Sequence, residues 1–224
     1  MNYSSIKIGF LFLILLAAAC HKKDIEPVVQ VTISNEIVTL NPTGYAPLTA
    51  TITFETSINT KVTIRVQGKY GEASDVVKDI DELNTIHSIP VLGLYADFEN
   101  TVELIFKNNS GAETGRKTYL IKTLPLPADV YPVITIDKKT DAMAGGMTLV
   151  SYFGYKTSFS PHNPFVFDAF GDIRWYLDLR TSPQLNTLLY EDGMERLQNG
   201  NLYFGNANTD KIYEMDMLGK IINV

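Results

Sequence analysis

From Val28 onward, apolar and polar residues alternate along much of the chain. Leu48, Ala50, Ile52 and Phe54 are interleaved with Thr49, Thr51, Thr53 and Glu55, and Val62, Ile64 and Val66 with Thr63, Arg65 and Gln67. Val102, Leu104 and Phe106 repeat the pattern. Side chains on an extended strand point to alternate faces, so a period of two marks half-buried strands with one face in a core. Turn-forming clusters punctuate them at Asn41-Pro42-Thr43-Gly44, Gln67-Gly68-Lys69-Tyr70-Gly71 and Asn108-Asn109-Ser110-Gly111. The pattern predicts strands over Val28–Ser34, Glu36–Leu40, Leu48–Glu55, Lys61–Gln67, His87–Leu92, Asn100–Lys107 and Arg116–Thr123. Ser74–Leu83 is the one stretch where a helical turn would fit. About seven short strands in roughly 100 residues describe an immunoglobulin-like β-sandwich over residues 28–123.

Leu124-Pro125-Leu126-Pro127 is a stiff, extended connector, a linker over 124–127. Beyond it the strands become shorter and richer in aromatics. One set is predicted over Val133–Ile136, Met147–Tyr152, Pro164–Asp168 and Ile173–Leu177. A second covers Met194–Leu197, Asn201–Asn206, Lys211–Asp216 and Ile221–Val224, with Asn199-Gly200 signalling a type I′ hairpin. The two sets echo one another. Asp168, Gly171 and Ile173 recur as Asp216, Gly219 and Ile221, each 48 residues later. Four short strands repeating every 40–50 residues describe the blades of a β-propeller. The fold class is therefore all-β: a sandwich, then the first two or so blades of a propeller over 128–224. Each Asp is expected to accept backbone hydrogen bonds inside its turn, and each Gly to supply a positive φ. Such a motif defines a fold and no chemistry.

The N-terminus adds a compartment. Lys7 precedes an apolar run of twelve residues, Ile8–Ala19, too short for a membrane-spanning helix. It closes on Leu16-Ala17-Ala18-Ala19-Cys20, which holds the only cysteine in the chain. This resembles a bacterial lipoprotein signal over residues 1–20, with Leu16 one place further back than the usual lipobox leucine. Acylation of Cys20 would tether the protein to a bacterial membrane outside the cytoplasm, in the periplasm or at the outer membrane, through a short tether over 21–27. No internal disulfide can then form. The net charge of −6, with no basic run besides His21-Lys22-Lys23, leaves no footprint for nucleic acid.

The segments Asn41-Pro42-Thr43-Gly44-Tyr45-Ala46-Pro47-Leu48-Thr49-Ala50 and His87-Ser88-Ile89-Pro90-Val91-Leu92-Gly93-Leu94-Tyr95-Ala96-Asp97-Phe98-Glu99-Asn100-Thr101-Val102 occur in that order. Together they resemble the N-terminal β-domain of bacterial aryl-sulfate sulfotransferases that use no nucleotide sulfate donor. Asp168-Ala169-Phe170-Gly171-Asp172-Ile173-Arg174-Trp175-Tyr176 is similar to that family's first blade, and the stretch from Arg196 to Ile221 to its second. The resemblance spans roughly Val28 to Val224. It implies a six-bladed propeller behind a small sandwich, in a family where homodimers are frequent. It implies transfer of a sulfuryl group from a phenolic sulfate donor to a phenol acceptor through a sulfohistidine, with no cofactor and no metal. A neutral imidazole attacks, and cations hold the anionic oxygens.

The three histidines fit no such role. His21 adjoins the lipidation site, His87 lies in a strand or turn of the N-domain, and His162 precedes a strand in a loop that could face the channel. The histidines of that channel are expected beyond Val224, so no catalytic residue is assigned within the chain, and Arg174 and Trp175 read as blade packing. A chain of this kind is expected to be inactive alone. The alternative is a lipid-anchored binding or assembly module whose sandwich edges dock a partner by strand addition. A quinone-type dehydrogenase propeller shares Asp-x-x-Gly turns but leaves the His87–Val102 segment unexplained.

Overall fold

A computed structural model describes residues 30–128, 130–138, 146–151, 163–188 and 191–224. Five strands build the first domain: β1 (Ile33–Leu40), β2 (Ala50–Val66), β3 (Val76–Val91), β4 (Glu99–Lys107) and β5 (Glu113–Lys122). The alternating segments separated by Ser57–Thr60 run together in β2. The ladder register shifts between Glu55 and Thr60, so the first half of β2 pairs with β1 and the end of β3, and the second half with β4 and the start of β3. The two halves face each other across the core. Phe54 meets Phe106 edge-on with ring centroids 5.6 Å apart. From β1, Glu36 reaches across to Lys117 and Tyr119 of β5. The sandwich interior holds Ile52, Phe54, Val66, Val102, Leu104 and Phe106, all buried. Each such side chain contributes about 1.5–3 kcal/mol relative to exposure.

Two details differ from the sequence reading here. In place of two strands over Val28–Ser34 and Glu36–Leu40 there is one from Ile33, bent at a bulge where Asn35 takes a φ of 54°, while Val28 and Val29 lie outside the described residues. Asn tolerates the left-handed region better than most residues. Ser74–Leu83 is not helical. A single 3-10 turn over Glu72–Ser74 is followed directly by β3. Asp75 sets the start of that strand, accepting the Gly68 N–H (2.7 Å) and pairing with Arg65 (2.6 Å).

The second region contains two antiparallel meanders. The first is three-stranded: β6 (Thr148–Val150), β7 (Phe165–Phe167) and β8 (Ile173–Tyr176). The second is four-stranded: β9 (Glu191–Arg196), β10 (Leu202–Asn206), β11 (Lys211–Met215) and β12 (Ile221–Asn223). Both fit the opening blades of a propeller. Val133–Ile136 forms no strand. It follows Pro132, which lacks an N–H, and Ile134 packs on the core while Val133 is 94% exposed. The Asn199-Gly200 hairpin is not type I′ either. Gly200 alone has positive φ (88°), and the pair of bonds Gly200 N–H to Leu197 O and Leu197 N–H to Asn201 O makes it a three-residue turn with a bulge. Among the described residues, no helix is long and apolar enough to cross a membrane.

Candidate functional site

The Asp-x-x-Gly repeats are built alike. Asp168 Oδ1 accepts the N–H groups of Phe170 (2.9 Å) and Asp172 (3.1 Å), and Asp216 Oδ1 those of Leu218 and Lys220 (both 2.9 Å). Gly171 and Gly219 sit at φ 89° and 86° and donate to the carbonyl of their own Asp. Gly219 is also confined by its surroundings, since a Cβ there would lie 3.0 Å from Thr43 Oγ1 and 3.1 Å from Tyr45 Cβ. The turn of the second meander therefore presses on the Asn41–Pro47 loop of the sandwich. Thr43 Oγ1 donates to the Leu218 carbonyl there, and the Asp178 N–H to the Tyr45 carbonyl at 2.8 Å.

The repeats then diverge. Asp168 has a second task that Asp216 lacks: its Oδ2 accepts from the guanidinium of Arg174 at 2.8 Å. Arg174 is wholly buried, and its other donors all reach into the sandwich. Nε and Nη2 donate to the Gly93 carbonyl (2.9 and 2.7 Å), and Nη1 to Tyr95 Oη (2.8 Å) and the Ser74 carbonyl (3.3 Å). The guanidinium carbon lies 3.6 Å from the centre of the Tyr95 ring. A buried charge is tolerated only when paired and hydrogen-bonded, and Arg174, by spanning two domains, is paired with Asp168 and donates from all three of its nitrogens. Beside it, Asp172 accepts from Lys69 (3.2 Å) and Tyr70 Oη (2.8 Å), and the Tyr70 and Phe170 rings stack 4.3 Å apart. The sandwich core also continues into Phe165, Ile173 and Tyr176 of the first meander. This junction fixes position.

Trp175 joins the two meanders. Its Nε1–H donates to the Met217 carbonyl at 2.7 Å, and its ring packs with Leu202, Phe204, Tyr213 and Met215 of the second meander. Arg174 and Trp175 were read as packing within a blade. Packing is their role, but each acts between units rather than inside one. The signal for Arg174 was faint: a cation in Ile173-Arg174-Trp175-Tyr176, a strand buried at every position.

His87 is buried in the sandwich, as expected of a strand residue. Its ring stacks on Phe54 with centroids 4.7 Å apart, and Nε2 lies 3.2 Å from Thr56 Oγ1 and 3.1 Å from Thr60 Oγ1. Burial holds its pKa below 6.5. Cys20, His21 and His162 lie outside the described residues. Among the described residues, no group of three or more His, Cys, Asp or Glu side chains could hold a metal ion.

The outward face of the second meander is open. Tyr203, Ile212 and Ile222 are exposed on it or at its rim. Glu214, on that face, accepts from the amides of Asn201 (2.6 Å), Asn223 (2.8 Å) and Asn199 (3.0 Å), which hold its carboxyl below the usual range. Its counterpart 48 residues earlier is Val166, which packs against the second meander.

A family model described as the arylsulfotransferase Ig-like domain matches residues 37–124. A second, described as arylsulfotransferase (ASST), matches residues 133–224. No curated protein matches the chain.

Proposed function

The chain belongs to the aryl-sulfate sulfotransferase family, and from that premise we propose that it supplies the sandwich and opening blades of an enzyme moving a sulfuryl group from a phenolic sulfate to a phenol. The transfer passes through a sulfohistidine borne by further blades, which come from a continuation of this chain or from a separate polypeptide. The observation that carries this reading is the unequal fate of equivalent faces. The face of the first meander bearing Val166 and Trp175 packs against the second meander, whereas on the same face of the second, among the described residues, Glu214 is half-buried and Tyr203 and Ile212 are exposed. A propeller closes only when every such face has a neighbour. The described histidine agrees, since His87 is buried in the sandwich against Phe54, Thr56 and Thr60.

We assign residues 1–20 to a lipoprotein signal and Cys20 to the lipid attachment point, which places the enzyme outside the cytoplasm on a bacterial membrane. The alternative of a free-standing docking module is disfavoured by the shared core, because Phe165, Ile173 and Tyr176 would leave an apolar gap in the sandwich if withdrawn. The test is turnover of a chromogenic aryl sulfate with a phenol acceptor. The 224-residue chain is expected to be inert, and the chain completed by the missing blades active. Turnover by the chain alone would overturn the assignment of the chemistry to other blades.

A further inference from the structure

A groove of about 570 Å³ runs between the sandwich and the second meander, beside the Arg174 junction, with Leu92 next in the chain to Gly93. Its floor is apolar, formed by Val66, Val76 and Leu92 from the sandwich and Met217 from the turn after β11. Two cations stand on its walls: Lys78 on the sandwich side and Arg196 on the meander side. Lys78 pairs across the ladder with Ile64, a core residue, so its side chain starts on the groove side of β3. Its neighbour Asp79 points to the opposite face, bonded to Thr63 and Lys107.

Neither cation makes an ion pair among the described residues, although Lys78 is near enough to Asp79 to help lower the pKa of its carboxyl. Arg196 has one hydrogen bond, a long one of 3.4 Å to the Gly200 carbonyl. The Lys78 ammonium forms no hydrogen bond or ion pair with the described residues. In a chain of net charge −6, where most other arginines are engaged by carboxylates, two unpaired cations over one apolar floor stand out. The one carboxylate at the rim, Asp216, has Oδ1 committed to the N–H groups of its own turn. Small-molecule sites favour such domain junctions: a mostly apolar cleft of some 300–1,000 Å³ with a few placed polar groups.

We propose that this groove binds an aryl sulfate, its ring on the apolar floor and its sulfate between Lys78 and Arg196. Sulfate as the head group rests on the function proposed above, whereas the apolar floor and the paired cations do not. A sulfate ester carries a single delocalised negative charge, which a guanidinium can grip through two N–H groups and an ammonium through one.

The test is calorimetric titration of the full chain with 2-naphthyl sulfate, 2-naphthol and inorganic sulfate. We expect 2-naphthyl sulfate to bind, 2-naphthol to bind about tenfold more weakly, and inorganic sulfate not to compete, since each ligand alone lacks half of the contact. Arg196→Gln and Lys78→Gln should each weaken 2-naphthyl sulfate about fivefold or more. Both positions are solvent-exposed, so thermal melts should show both variants folded. No binding, equal binding of 2-naphthol, full competition by inorganic sulfate, or an affinity unchanged in both variants would each overturn the proposal. Binding is read without turnover, so the two readings fail separately. An inert completed enzyme with a loaded groove contradicts the function, and an active one with an empty groove contradicts this site.

Discussion

Replacing Arg174 by alanine should unfasten the sandwich from the blades. The guanidinium is fully buried, and its loss strands Asp168 Oδ2 and the Gly93 carbonyl, which between them accept three of its bonds. Removing one member of a buried ion pair costs about 3–5 kcal/mol, mostly because the remaining charge stays buried and unpaired. That is a large share of the roughly 5–15 kcal/mol that holds a typical domain folded. Asp216→Asn is the control, because Asp216 shares the turn but has no arginine. Its Oδ1 contacts can be kept by the amide, so the cost should stay near 1 kcal/mol. Urea unfolding followed by circular dichroism and by fluorescence of Trp175, the only tryptophan, reads both parts of the molecule. Native protein should give one coincident transition. In Arg174→Ala the tryptophan signal should move first, leaving a separate sandwich transition. A variant within about 1 kcal/mol of native stability, with transitions still coincident, would refute the claim that Arg174 couples the domains.

Other outcomes follow from the same structure. His87 is buried with a pKa held below its ordinary 6.5, so the unfolded state binds more protons in mild acid. Its stability contribution is full above pH 6.5 and is lost as pH falls through that value toward the folded pKa, by at most about 1.4 kcal/mol per pH unit. His87→Gln should flatten the stability profile between pH 7 and 5, and an unchanged slope would contradict the assignment. Gly219→Ala should destabilise by about 1–2 kcal/mol, as it combines a φ of 86° with a Cβ 3.0 Å from Thr43 Oγ1, and chemical denaturation measures it. Trp175→Phe replaces the buried indole with a smaller ring and loses the 2.7 Å bond to the Met217 carbonyl, so it should cost about 2 kcal/mol or more in the same assay. Cys20→Ser should abolish incorporation of a labelled fatty acid in a bacterial host and release the protein from the membrane fraction, and retention of both would refute lipidation.

Alternation read the sandwich well where one face is apolar and failed where charge hides it. Val76–Leu83 looked ambiguous because Lys78, Asp79, Asp81 and Glu82 interrupt the pattern, yet cross-strand pairing with Val62–Val66 makes it a strand. The turns joining β7 to β8 and β11 to β12 are legible in the 48-residue echo, since turn chemistry is local and an Asp with a Gly three residues on forms the same turn in both places, whereas the strand expected at Val133–Ile136 does not form. Asn199-Gly200 fits both a type I′ turn and a one-glycine bulge, and only the backbone distinguishes them. The junction was not legible. Nothing in the sequence says that Arg174 reaches Gly93 and Ser74, residues 81 and 100 positions away, because that bond depends on how two domains pack. The groove has the same origin, with Lys78 and Arg196 brought onto one floor by tertiary contacts alone.

The central claim is that the sulfur-transferring histidine belongs to blades other than those described by this chain. It is tested most directly by incubating the chain, alone and completed by those blades, with an aryl sulfate carrying radioactive sulfur, then quenching without acceptor and mapping the label. The account predicts no label on the 224-residue chain, and in the completed protein a labelled histidine outside residues 1–224. Label on His87 or on His162, in either protein, would contradict it.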